Sequence, residues 1–227
     1  MRYFLFISIF LIFTVQTNGQ KLEKPNFSMA SHPILIDNIV YSEKEIEVEL
    51  TIENQTTEGN FCADKNIYLI DAVQGIRIRM KSATGIPICP ETYNFLFEGE
   101  KKTFQLFFPT FELQPKYIDI IEECPEYCLS IQGIILDPVF NQIINNGYNA
   151  YINENTDEAL KHFTKAVSEY PDYPYSFLYN NIIQILAENQ DFTNAKQWLT
   201  RLNKSDLKDK QYTLDQMRKQ SWFDHIH

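Results

Sequence analysis

The sequence predicts a mixed two-domain protein, an all-β sandwich followed by a short all-α domain. Two observations carry this reading. Hydrophobic residues alternate with a period of two from Pro33 to Asp137, and after Asp137-Pro138 they recur three and four residues apart. All four cysteines, Cys62, Cys89, Cys124 and Cys128, fall in the first stretch, so the composition changes at the same place as the period. A chain of 227 residues with 44% hydrophobic content can build two cores, while 7 glycines and an aromatic share of 14% exclude a collagen-like or wholly disordered chain.

Residues 1–19 read as a secretory signal peptide. Arg2 makes a short positive region, Tyr3 to Val15 is apolar, and Thr17-Asn18-Gly19 precede a cut expected after Gly19. About thirteen apolar residues span only about 20 Å as a helix, short of a hydrocarbon core of about 30 Å. No cysteine near the cut offers a lipid anchor, and no later run of eighteen apolar residues offers a spanning helix. The mature chain is therefore expected to be exported, periplasmic or secreted, with no integral membrane segment after cleavage. Residues 20–32 form an N-terminal segment ahead of the β-sandwich domain, residues 33–137.

Within that domain Ile46, Val48, Leu50 and Ile52 alternate with Glu45, Glu47, Glu49, Thr51 and Glu53, a strand with one buried face. Further strands are predicted at Ile34 to Val40, Asn66 to Asp71, Gly75 to Lys81, Tyr93 to Phe97, Thr103 to Phe108, Tyr117 to Ile121 and Leu129 to Leu136. Turn residues such as Glu58-Gly59-Asn60, Glu98-Gly99-Glu100 and Pro109 to Pro115 separate them. A single sheet of that width would leave an apolar face bare, so two sheets packed face to face, as in an immunoglobulin-like sandwich, are expected. An oxidising compartment makes the four cysteines two disulfides. Three pairings are open; a local Cys124–Cys128 bridge could clamp a turn between two strands, leaving Cys62 with Cys89. A four-thiolate zinc site is disfavoured because Cys62 and Cys89 stand singly.

The second domain, residues 138–227, reads as helices at Val139 to Ile152, Asp157 to Tyr170, Tyr175 to Asn189, Phe192 to Asn203 and about Leu207 to Gln220. In the second of these Ala159, Leu160, Phe163, Ala166, Val167 and Tyr170 share one face, with Asn155 or Thr156 to cap its start and Pro171 after its end.

Gly147, Ala159, Phe163, Ala166 and Pro171, at spacings of 12, 4, 3 and 5, resemble the signature of a tetratricopeptide repeat. A degenerate second copy carries Ala195, Leu199 and Leu202, but has Ile183 where the first has Gly147 and lacks the closing Pro. The resemblance implies that the last helix caps one end of the pair and the β-domain covers the other, making one rigid body. The β-domain is similar to secreted immunoglobulin-like domains of unknown function from Bacteroidota, on the runs Phe61 to Leu69 and Gly85 to Pro90. That resemblance implies no activity.

A formal charge of -10 makes nucleic acid an unsuitable partner. No HExxH, GxSxG, GxGxxG or GxxxxGK motif occurs, and His32, His162, His225 and His227 are scattered. No catalytic residue, metal ligand or cofactor is assigned. Asn153, Asn155 and Asp157 imitate the start of a calcium loop, but Glu158 stands where Gly is required and Thr164 where the closing Glu would be, so a helix cap is the expectation. Glu45, Glu47, Glu49 and Glu53 share one strand face, and Arg77, Arg79 and Lys81 another; if these strands are neighbours, the charges pair.

In tetratricopeptide proteins the first helix of each repeat lines a concave groove, and the resemblance places Asn141, Ile144, Tyr148, Tyr151, Asn180 and Gln184 there. Tyr brings contact area with few torsions and Asn can bond a peptide backbone, which suits a protein or peptide partner. The alternative is that the clustered rings Tyr148, Tyr151, Tyr173, Tyr175, Phe177 and Tyr179 pack on the β-domain or in the superhelix core. The expected function is a non-enzymatic protein-binding or scaffold module of the cell envelope. An acidic periplasmic inhibitor or immunity protein is the second reading, and an enzyme of unrecognised type the third, should Glu122, Glu123 and Glu126 prove buried together.

Overall fold

The computed structural model describes residues 20–227, so the signal peptide expected at 1–19 lies outside the described residues. The first part of the chain builds two five-stranded antiparallel sheets and a two-stranded ribbon, and the second part five helices. The strands in chain order are β1 Gln20–Glu23, β2 Met29–Ala30, β3 Ile34–Tyr41, β4 Ile46–Glu53, β5 Asn60–Phe61, β6 Ile67–Asp71, β7 Arg77–Arg79, β8 Ser82–Thr84, β9 Tyr93–Asn94, β10 Lys101–Phe108, β11 Tyr117–Glu122 and β12 Ser130–Ile135. The sheets run β1-β3-β4-β10-β8 and β2-β12-β11-β6-β7, with β5 and β9 as the ribbon. Val48, Leu50, Phe104 and Leu106 of the first sheet pack against Ile67, Leu69, Ile118 and Ile120 of the second in one dry core. Strand β4 alternates buried and half-buried residues along its whole length, the pattern that its sequence predicts.

Residues 20–32 are part of the sheets. Strand β1 pairs with β3 and β2 pairs with β12, so this segment adds an outer strand to each layer. The predicted strand Gly75 to Lys81 contains only the shorter β7, beside β6; after Met80 and Lys81 the chain joins the other sheet as a further strand, β8, beside β10. The two charged faces consequently do not meet as neighbouring strands, because β4 lies between β3 and β10. Glu47 and Glu49 accept bonds from Gln105 and Asn38 instead, Glu53 pairs with Lys101 at 3.2 Å, and only Lys81 reaches this row, 4.0 Å from Glu45. The disulfides are Cys62–Cys89 and Cys124–Cys128.

The helices are α1 Pro138–Ile152, α2 Thr156–Glu169, α3 Phe177–Glu188, α4 Phe192–Lys204 and α5 Lys210–Met217, followed by a 3-10 turn at Phe223–His225. Asp137 caps α1 by accepting from the amides of Val139 and Phe140, and Pro138 fits the first turn, where no amide is needed. Asn155 caps α2 by accepting from the Glu158 amide, the cap expected from sequence. Gly147 lets α1 and α2 approach closely: a Cβ there would lie 2.7 Å from the Phe163 ring. Among the described residues no helix is long and apolar enough to cross a membrane.

Strand β11 is buried on both faces, and this locates the helical part. Ile118 and Ile120 enter the core between the sheets, whereas Tyr117, with Ala72 and Ile135, belongs to a second core formed with Phe140, Ile143, Phe163, Tyr173 and Tyr175. The register of β11 against β12 shifts between Ile118 and Ile120, so Asp119 sits at a bulge. Asp119 is buried; it accepts from the Gly133 amide at 2.8 Å and from the Tyr175 hydroxyl at 2.6 Å, and Lys208 lies 3.4 Å away. Tyr173 donates to the Gly133 carbonyl at 2.7 Å, and a Cβ on Gly133 would stand 2.6 Å from that hydroxyl. Asp209, buried at the start of α5, accepts from Ser28 and from the Ser176 amide, both at 2.7 Å. These bonds run between buried groups, where a lost partner costs more than at the surface.

Candidate functional site

Helices α1 and α3 lie side by side and present a strip of aromatic and carboxamide side chains. Tyr148 packs edge-on against Phe163, with ring centroids 5.2 Å apart, and its hydroxyl accepts from Asn181 Nδ2 at 3.0 Å. One turn on, Tyr151 donates its hydroxyl to Glu188 at 2.8 Å, and Gln184 donates to the other oxygen of that carboxylate, also at 2.8 Å. Burial pushes the Tyr148 hydroxyl up from its ordinary range, and the bond to Glu188 does the same for Tyr151. Both phenols thus stay neutral hydrogen-bonding groups across ordinary pH. Tyr148, Tyr151, Phe163, Asn181, Gln184 and Ile185 enclose a recess of about 40 Å³, room for about one water.

The six residues expected to line a groove divide into two sets. Tyr148, Tyr151, Asn180 and Gln184 are half-buried along α1 and α3, consistent with a contact strip. Asn141 and Ile144 are buried and cannot line a groove. Asn141 donates to the carbonyls of Ile135 and Asp137, and its Oδ1 accepts from the amide and side chain of Asn26, at 2.7 and 2.9 Å. It joins the helices to the sandwich, and helical spacing alone could not show that the first turn of α1 faces the sheet. Asn181 was missed because it follows Asn180 by one residue, on the flank of the assigned face; Glu188 follows Gln184 by four, on the same face, and that spacing could have found it. The other rings divide similarly: Tyr173 and Tyr175 are buried between helices and sheet, while Tyr179 packs on Trp198 at 5.6 Å.

Against this geometry, comparison with known proteins adds little. No protein-family model matches the chain, and no curated protein matches it. A crystal structure of a functionally unknown protein from Listeria monocytogenes EGD-e is similar over 46% of this chain and 72% of its own, at 14% identity and a TM-score of 0.29. A likeness that weak carries no argument.

At the end of the sandwich that holds both disulfides, a cleft of about 530 Å³ is lined by His32, Glu53, Asp64, Glu122 and Glu126 among others. Glu122 is buried, but one oxygen accepts from the Asp64 amide at 2.8 Å and the other from the Leu129 amide at 2.7 Å, so it ties two loops together. Glu123 points away and pairs with Arg77, and Glu126 is exposed. The three glutamates are therefore not buried together: Glu122 is buried, whereas Glu123 and Glu126 are exposed. Burial lowers the His32 ring below its ordinary 6.5, with Glu122 opposing the shift. Among the described residues no group of three or more His, Cys, Asp or Glu could hold a metal ion.

Proposed function

We propose that the chain is an exported, non-enzymatic protein-binding or scaffold module of the cell envelope, an immunoglobulin-like sandwich carrying a short tetratricopeptide-like helical unit. The two disulfides fit an oxidising compartment outside the cytoplasm. The seating of Gly147 on Phe163, and the buried Ala159, Ala166 and Ala195 on the second helices, support the tetratricopeptide-like reading. The observation that carries the binding function is the strip on α1 and α3. Its tyrosines and carboxamides are neither buried as core nor freely solvated, and their helices are anchored to the sandwich by Asn141, Tyr173 and Tyr175. Held this way, the strip loses little conformational entropy when an extended peptide segment lies across it.

Selection of displayed peptides against residues 20–227 tests the reading. Peptides recovered on the native chain should lose at least about tenfold in affinity, about 1.4 kcal/mol, on Asn180→Lys and Gln184→Lys variants whose melting temperature is unchanged. Recovery of no peptide, or of peptides indifferent to both variants, rejects this face as the partner site.

A further inference from the structure

A groove of about 420 Å³ opens where the chain crosses from one sheet to the other. The Met80 amide donates to the Ile67 carbonyl at 2.8 Å in one sheet, and the Lys81 amide donates to Phe107 at 2.7 Å in the other. Strands β7 and β8, on either side of this crossing, are each the outermost of their sheet. An outer strand keeps every second main-chain N–H free of a ladder partner, so β8 adds donors to this edge.

The charged side chains lining the groove are Lys65, Arg79 and Lys81, and no carboxylate joins them. In a chain with 20 basic and 30 acidic residues, composition favours the opposite. Arg79 is fixed in place: its Nε donates to the Lys65 carbonyl and an Nη to Asn66 Oδ1, both at 2.9 Å. These bonds use two of the five guanidinium donors and leave the rest for a ligand. Lys65 has no carboxylate within ion-pair distance among the described residues, whereas the Lys81 ammonium donates to the Lys44 carbonyl at 3.3 Å and pairs with Glu45 at 4.0 Å. Ser82 adds an exposed hydroxyl, and Met80, Ala83 and Ile88 give the groove an apolar side.

We propose that this groove binds a small organic ester bearing a tetrahedral oxyanion, a phosphate or sulfate monoester about the size of a monosaccharide. Lys65 and Arg79, the latter with its remaining guanidinium donors, match the several oxygens of such a group better than the two of a carboxylate. The volume lies within the range of small-ligand sites and far exceeds that of a bare anion, one water accounting for about 30 Å³. The apolar side would receive the carbon body of the ester.

The test is calorimetric titration of residues 20–227 at low ionic strength, where screening is weakest, with glucose 6-phosphate, glucose 6-sulfate, inorganic phosphate and glucose. At least one ester should bind more tightly than both inorganic phosphate and glucose, and the tighter of the two esters identifies the oxyanion. Lys65→Gln and Arg79→Gln should each weaken that ester at least about tenfold, while Lys161→Gln, on the exposed face of α2, should leave it unchanged. If Arg79→Gln fails to fold, Lys65→Gln decides alone, since its ammonium makes no ion pair among the described residues. Esters bound no better than glucose, or bound equally by the Lys65 variant, overturn the site. Inorganic phosphate bound as tightly as the tighter ester overturns the ester assignment.

Discussion

Replacing Gly147 by Ala sets two opposed effects against each other at one helix position. Gly147 is buried in α1, and its backbone needs no left-handed freedom. At an ordinary helical position the change would stabilise by about 1 kcal/mol, because Ala has less chain entropy to lose. Here the added Cβ would stand 2.7 Å from Cε1 and 2.9 Å from Cζ of Phe163. That ring is 1% exposed and held against Tyr148, so moving it disturbs its neighbours. Overpacking of this kind costs about 1–3 kcal/mol, which outweighs the helix gain and leaves a net loss of about 1 kcal/mol. Urea unfolding of Gly147→Ala should therefore show a lower midpoint at an unchanged slope. In a Phe163→Leu background the same change should turn neutral or stabilising, giving a coupling of about 1–3 kcal/mol between the sites. A Gly147→Ala chain that is more stable than the native one would refute the close approach of α1 and α2.

The two disulfides should differ in worth. The loop-entropy relation gives about 3.5 kcal/mol for a separation of 27 residues and about 2 kcal/mol for one of 4, so the Cys62→Ala/Cys89→Ala pair should lose more stability than Cys124→Ala/Cys128→Ala. Equal or reversed losses in chemical denaturation would contradict that ranking. Asp172 provides a pH prediction. Burial alone would raise its carboxyl, but bonds from Lys116 at 2.7 Å and Tyr117 at 3.0 Å outweigh that and hold it below its ordinary 3.8. A depressed folded value adds stability that is fully present well above pH 3.8 and is lost as pH falls through the folded pKa. Asp172→Asn should be less stable than the native chain near neutrality and lose less on acidification. The half-exposed carboxylate makes this difference small and reduced by salt, and a pH profile identical to the native one would count against the bond.

Much of the fold could be read from local pattern because the determining forces are local. The alternation of Ile46, Val48, Leu50 and Ile52 follows from the two-residue period of a strand, and the helix bounded by Asn155 and Pro171 from capping and backbone restriction. The candidate strip was half visible. Tyr148, Tyr151, Asn180 and Gln184 share a helical spacing, but Asn141 and Ile144 share it too and are buried. Spacing gives the direction of a side chain around its helix, not what stands opposite. The strands at 20–32 carry too few alternating residues to show a period, and the crossing at Met80 and Lys81 interrupts none of the alternation through Arg77 and Arg79.

By itself the sequence determined the two structural classes, their boundary near Pro138, the helix caps and the even set of cysteines in the first part. Each depends on backbone propensity or on burial patterns a few residues long. The tertiary structure decided the rest. It placed β4 beside β10 rather than β7, turned Asn141 and Asp119 into buried ties between sheet and helices, and gathered Lys65, Arg79 and Lys81 around one groove. These outcomes depend on which residues far apart in the chain become neighbours. Strand order and helix docking are fixed by the summed burial of both cores, and no window of the sequence contains that sum.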